Sequence, residues 1–248
     1  MKRILFFAIM LLSVPAIKAQ FATSYMPSVR TPNMILNDDW KAPAVMELGS
    51  DDVIHFSFDE MSHTYHRYTC RITHNNANGT RSELSEIDYL DGFNDFVIES
   101  WENSHNTTQL YTHYTFDLPN DDVSLKVSGN YSVEVYDDDM EDDIPVLRFD
   151  FSVVEPKVTI RATITGDTDT SFKAGEQQLS FVVNHSNCNV VSPANDLIPV
   201  VYQNRRRDNF VTDIKPTYMT GNEAEYVHNT ALIFEAGNEY RRFELTDP

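Results

Sequence analysis

Apolar and polar side chains alternate at period two along much of this chain. Residues 53–58 read Val-Ile-His-Phe-Ser-Phe and run into the acidic pair Asp59-Glu60. In 66–73, Tyr68, Cys70 and Ile72 share one face with His66, while Arg67, Thr69 and Arg71 share the other. Such alternation sets one face of a strand on a core and the other toward water. Further strands are predicted at 96–99, 110–117, 129–136 and 146–154. Turn chemistry punctuates them: 75–79 is rich in Asn and Gly, and Gly129-Asn130 opens the strand that follows. Residues 21–43, with Pro27, Pro32 and Pro43, read as an extended lead-in with one strand near 34–36.

Pro156 follows Phe151-Ser152-Val153-Val154, and a proline cannot continue a ladder, so a boundary is expected there. A second set of strands is predicted at 158–165, 178–183, 198–203, 213–215 and 241–245, with a polar loop at 166–175. Short strands at regular spacing predict an all-β chain, two immunoglobulin-like antiparallel β-sandwich domains in tandem. The expected division is 20–155 for the first and 156–248 for a shorter second domain. Ahead of them, Lys2 and Arg3, the apolar run 4–14 and the small Ala19 before Gln20 have the layout of a secretory signal over 1–19. That run is shorter than the ~20 residues a membrane span needs, so export without membrane insertion is expected.

The formal net charge is −19. The signal carries basic residues and no acids, so the exported part is more acidic still. This repels nucleic acid and anionic lipid and excludes both as direct partners. The two cysteines, Cys70 and Cys188, lie in different predicted domains and read as separate thiols. In 137–143, six of seven residues are acidic. The run lacks the glycine turn and spaced ligands of a calcium loop, and reads as a solvated hairpin tip.

No nucleophile elbow, phosphate loop, dinucleotide fingerprint, zinc-protease motif or paired CxxC occurs. His63 and His66 form an HxxH pair, but strand spacing would turn the rings apart. His113, between aromatics, reads as a hydrogen-bonded strand residue, and Cys70 as a core thiol. Trp101, Tyr111, Tyr114 and Tyr131 suit either a core or a sugar-stacking platform, and the core is the preferred reading. Arg205, Arg206 and Arg207 stand together at a predicted hairpin bend, either solvated or in ionic contact with an acidic partner or with the other domain. Sequons begin at Asn78, Asn106, Asn130 and Asn184. No enzyme, metal, cofactor or small-molecule substrate is expected.

An ordered set of short motifs goes further. It comprises Ile87-Asp88-Tyr89-Leu90-Asp91-Gly92-Phe93, Ser104-His105-Asn106-Thr107, Tyr111-Thr112-His113-Tyr114, Leu118-Pro119-Asn120 and Ser128-Gly129-Asn130-Tyr131. Downstream come Tyr202-Gln203-Asn204, Arg207-Asp208, Lys215-Pro216 and 236–243. In order and spacing these resemble the plug proteins of the Bacteroidetes type IX secretion system. The chain departs from that pattern at His74-Asn75-Asn76-Ala77-Asn78-Gly79, which lacks the cysteine and tryptophan seen there. The resemblance implies the N-terminal portion of a periplasmic, non-enzymatic subunit that seals an outer-membrane β-barrel translocon. Tyr89, Asp91 and Phe93, with Arg205, Arg206 and Arg207, are the expected partner contacts. The alternative is a secreted carbohydrate-binding or adhesin-like β-sandwich.

Overall fold

The computed structural model describes residues 22–140, 143–170, 175–204 and 209–237. The signal segment and the strand expected at 241–245 lie outside them. The described chain is nearly all β and divides into two compact units that part between Lys157 and Val158.

The first unit holds β1 (Ala22–Ser24), β2 (Val29–Leu36), β3 (Val45–Glu47), β4 (Ile54–Glu60), β5 (Tyr68–Asn75), the short helix α1 (Glu86–Tyr89), β6 (Leu90–Gly92), β7 (Phe96–Val97), β8 (Ser100–Asn103), β9 (Thr112–Leu118), β10 (Val123–Leu125), β11 (Gly129–Asp137) and β12 (Leu147–Val154). One sheet runs β1-β12-β11-β5-β7, with β3 added parallel to β12, and a second runs β2-β4-β9-β8. A small ladder joins β6 to β10.

The period-two pattern explains why these sheets face each other. Ile54, Phe56 and Phe58 of β4 and Tyr114, Phe116 and Leu118 of β9 point inward, against Tyr68, Cys70 and Ile72 of β5, Val133 of β11 and Phe149 of β12. Phe56 and Phe116 are cross-strand partners with rings stacked at 4.7 Å, and Phe149 of the other sheet meets Phe56 edge-on at 5.1 Å. Burying each such ring is worth roughly 1.5–3 kcal/mol. Cys70 and Cys188 are both free thiols.

The second unit holds β13 (Thr159–Thr165), β14 (Glu176–Asn184), helix α2 (Pro193–Asp196), β15 (Val201–Tyr202), β16 (Phe210–Val211), β17 (Tyr218–Thr220), β18 (Glu223–Tyr226) and β19 (Ile233–Glu235). Its sheet runs β13-β14-β18-β17, with β19 also on β14, and β15 pairs with β16 as a separate hairpin. Among the described residues, no helix is long and apolar enough to cross a membrane.

Several element expectations need correction. No strand forms at 213–215, because Asp213 takes a positive φ of 58° that a ladder cannot hold. The stretch 198–203 narrows to β15, and 96–99 to β7. The strand near 34–36 reaches back to Val29 as β2, which pairs with β4 through an irregularity between Arg30 and Asn33. His66 precedes β5 rather than lying in it.

Candidate interaction surface

After β5 the chain leaves the sheet and returns at β7. Ser85 caps α1, where the Asp88 carboxylate accepts hydrogen bonds from the Ser85 N–H at 3.0 Å and its hydroxyl at 2.5 Å. Those bonds hold the Asp88 carboxyl below its ordinary value. The excursion is pinned to the sheet at two places. The Tyr89 hydroxyl donates to the Ile72 carbonyl at 3.1 Å, and Asn94 exchanges two bonds with the Ile72 backbone, at 2.6 and 2.9 Å. Lys126 reaches the Ile87 carbonyl at 2.7 Å. Gly92 is needed for the bend: its φ is 107°, and a Cβ there would sit 1.9 Å from the Asp122 carbonyl oxygen.

This bracing fixes a knob with an apolar crown. Ile87 is 78% exposed, Phe93 79% and Leu84 40%, with Asp91 exposed beside them. Tyr89 is 1% exposed, so it anchors the knob and offers a partner no face. Arg205, Arg206 and Arg207 lie outside the described residues. Sequence reasoning missed Leu84 and Ile87, although an isoleucine between acidic neighbours on a one-turn helix is a signal that it points outward.

The aromatic residues weighed as a sugar platform divide. Tyr114 and Tyr131 are buried in the core, with hydroxyls bonded to the backbone at His66 and Val127. Tyr111 is half-buried. Trp101 pairs in register with Tyr114, and its ring meets exposed Tyr65 at 5.1 Å with 46° between planes. Both rings are exposed, and with 46° between their planes they do not make one flat platform.

His113 Nδ1 lies 2.7 Å from Asp59 across the β4–β9 ladder, a cross-strand pair on the outer face. Burial pushes the Cys70 thiol up, which keeps it protonated and inert. His63 and His66 both fall in the loop between β4 and β5, but only His66 meets the acidic hairpin, with Nδ1 3.0 Å from Asp137. Sequence reasoning did not foresee this contact, which joins residues 71 positions apart.

The fold has solved counterparts. A crystal structure of a hypothetical protein from Parabacteroides merdae is 40% identical over 92% of this chain, with a TM-score of 0.85. This chain spans 57% of that protein's length. Among curated proteins none matches. The family described as the type 9 secretion system plug protein first domain matches residues 29–155, which is half of the chain and nearly all of the first unit. The chain belongs to the type 9 secretion system plug protein family.

Proposed function

We propose that this protein is a non-enzymatic plug subunit that seals the periplasmic side of the outer-membrane barrel of the type 9 secretion translocon while no cargo passes. The family match over the first unit carries the reading. The braced knob supports it, because exposed apolar side chains on a rigid base can join an interface with little loss of conformational entropy. Export to the periplasm, through the segment 1–19, and association with the outer membrane belong to the same reading. Its partner is the barrel subunit, with Asp91, Phe93 and the three arginines among the contacts. The tilted Trp101–Tyr65 pair gives the carbohydrate-binding alternative little support.

The test is an affinity pull-down of the tagged full chain from envelope extracts of its native host. The expected result is recovery of an outer-membrane β-barrel, with recovery reduced by the double substitution Ile87→Asp and Phe93→Asp. Both side chains are exposed, so the fold should tolerate the change. Replacing Arg205, Arg206 and Arg207 with serine is expected to lower recovery most at low salt, as for a screened ionic contact. A pull-down that recovers no barrel overturns the proposal.

A further inference from the structure

The β5–β11 ladder ends where Tyr68 faces Asp137. Continuing that antiparallel register by two residues sets His66 opposite Asp139. His66 Nδ1 lies 3.0 Å from an oxygen of Asp137 and 4.0 Å from one of Asp139. One donor atom from each of the three residues fits within 4.8 Å of the others. A tetrahedral centre with bonds of ~2.1 Å holds its donors ~3.4 Å apart, and the two measured spacings bracket that separation.

Two other described acids of the hairpin already have cations. Asp138 is paired with Arg67 at 3.2 Å and Asp143 with Arg71 at 2.6 Å. Among the described residues, no arginine or lysine lies within 4.0 Å of Asp137 or Asp139. A separate feature points the same way. Glu60, at the end of β4, is 3% exposed and accepts hydrogen bonds from the Ser62 N–H and hydroxyl, yet no basic side chain among the described residues pairs with it. Buried carboxylates are ordinarily matched by a cation or a metal.

A supporting shell is already in place. The Ser62 and Thr64 hydroxyls lie 3.2 and 3.3 Å from His66 Nε2. With the Nδ1 lone pair on an ion, Nε2–H donates to the Ser62 oxygen, and the Ser62 hydroxyl donates to Glu60. This arrangement fixes the tautomer of a ligating histidine and raises its basicity.

We propose that His66, Asp137 and Asp139 form a binding site for a divalent transition-metal ion of the zinc class, tying the loop between β4 and β5 to the hairpin between β11 and β12. A ring nitrogen with two carboxylates suits such an ion. Calcium takes six to eight oxygens, which this set does not supply. Three protein donors leave one coordination position open. The site does not depend on the plug reading.

Calorimetric titration of the full chain with zinc chloride, in a non-chelating buffer, tests it. The expected result is saturable uptake of one zinc ion per chain, with no such event for calcium or magnesium. Asp139→Asn should weaken zinc binding at least about tenfold, Ser62→Ala about tenfold through the lost support of His66, and His66→Ala should remove it. His113→Ala, whose imidazole pairs with Asp59 alone, should bind as the parent does. Asp139 is 73% exposed at its side chain, so its variant keeps the test valid if His66→Ala does not fold. Absence of one-to-one zinc uptake by the parent, or unchanged binding in Asp139→Asn, overturns the site.

Discussion

In the first unit the central strands β4, β5, β9, β11 and β12 all bury one face, whereas β13 of the second unit is exposed along its whole length. Two facing sheets enclose the first core. The second has one main sheet and a two-stranded hairpin, and among the described residues only six buried side chains form its core cluster. Ile160 and Ala162 of β13 instead border an open apolar groove of about 430 Å³, shared with Phe181 of β14 and Tyr226 of β18. Among the described residues, three side-chain atoms are buried without a partner: His63 Nε2 in the first unit, and His185 Nε2 and Tyr226 Oη in the second. Alternation of side chains makes a sheet face apolar, but only an opposing layer turns that face into stabilisation.

Truncating one ring in each unit should break or sharpen this contrast most. Phe56 is enclosed by rings from both sheets, so Phe56→Ala leaves a cavity and should cost about 3–5 kcal/mol. Phe181 stacks on Tyr226 at 4.5 Å but borders the groove. Phe181→Ala should therefore lose the transfer term alone, roughly 1.5–3 kcal/mol. Trp40 and Trp101 both lie in the first unit, so fluorescence reports on that unit, and amide hydrogen exchange is needed to follow both. Equal losses would show that the second core is as well enclosed as the first.

The same contrast governs what the sequence reveals. β4, β5, β11 and β12 are legible because each buries alternate residues against a partner sheet. β8, with Ser100-Trp101-Glu102-Asn103 all exposed, exists because β9 offers it an edge, and that edge leaves no trace in local sequence. β17 is likewise exposed throughout, and Asp213 breaks a stretch whose Ile214 is buried without being in a strand. The sequence reads as a tight bend at Gly92 anchored by Tyr89, Leu90 and Phe93; the structure buries Tyr89 and Leu90 but leaves Phe93 exposed, so only part of that anchor was readable. The His66–Asp137–Asp139 cluster was not, because it arises from strand register between distant segments.

Glycines give a narrower comparison. Gly92 and Gly221 both have positive φ, at 107° and 56°, but only Gly92 is hemmed in. Gly92→Ala adds a clash with the Asp122 backbone to the conformational penalty and should cost roughly 2–3 kcal/mol. Gly221→Ala meets nothing within 4 Å and should cost roughly 1 kcal/mol, the left-handed penalty alone. Urea unfolding followed by amide exchange would separate the two. A Gly92→Ala protein as stable as the parent would mean that the knob is not braced as described.

The smallest and most specific contrast lies in two buried phenols. The Tyr131 hydroxyl donates to the Val127 carbonyl at 2.7 Å, while that of Tyr226 has no partner among the described residues. Tyr131→Phe should cost about 1 kcal/mol at neutral pH, and Tyr226→Phe should be neutral or stabilising, because it removes a buried polar group that bonds to nothing. Burial pushes both phenols above their ordinary value. The folded state thus keeps the proton that the unfolded chain releases near pH ~10. The stability held by each neutral phenol is complete below that pH and falls as pH rises toward the folded value. Each substitution should accordingly flatten the alkaline loss of stability in its own unit and leave the other unit unchanged. Thermal melts at pH 7 and pH 11, resolved by unit through amide exchange, would show this. Destabilisation by Tyr226→Phe at neutral pH would mean that its hydroxyl has a partner, and that the second unit is better satisfied than its open face implies.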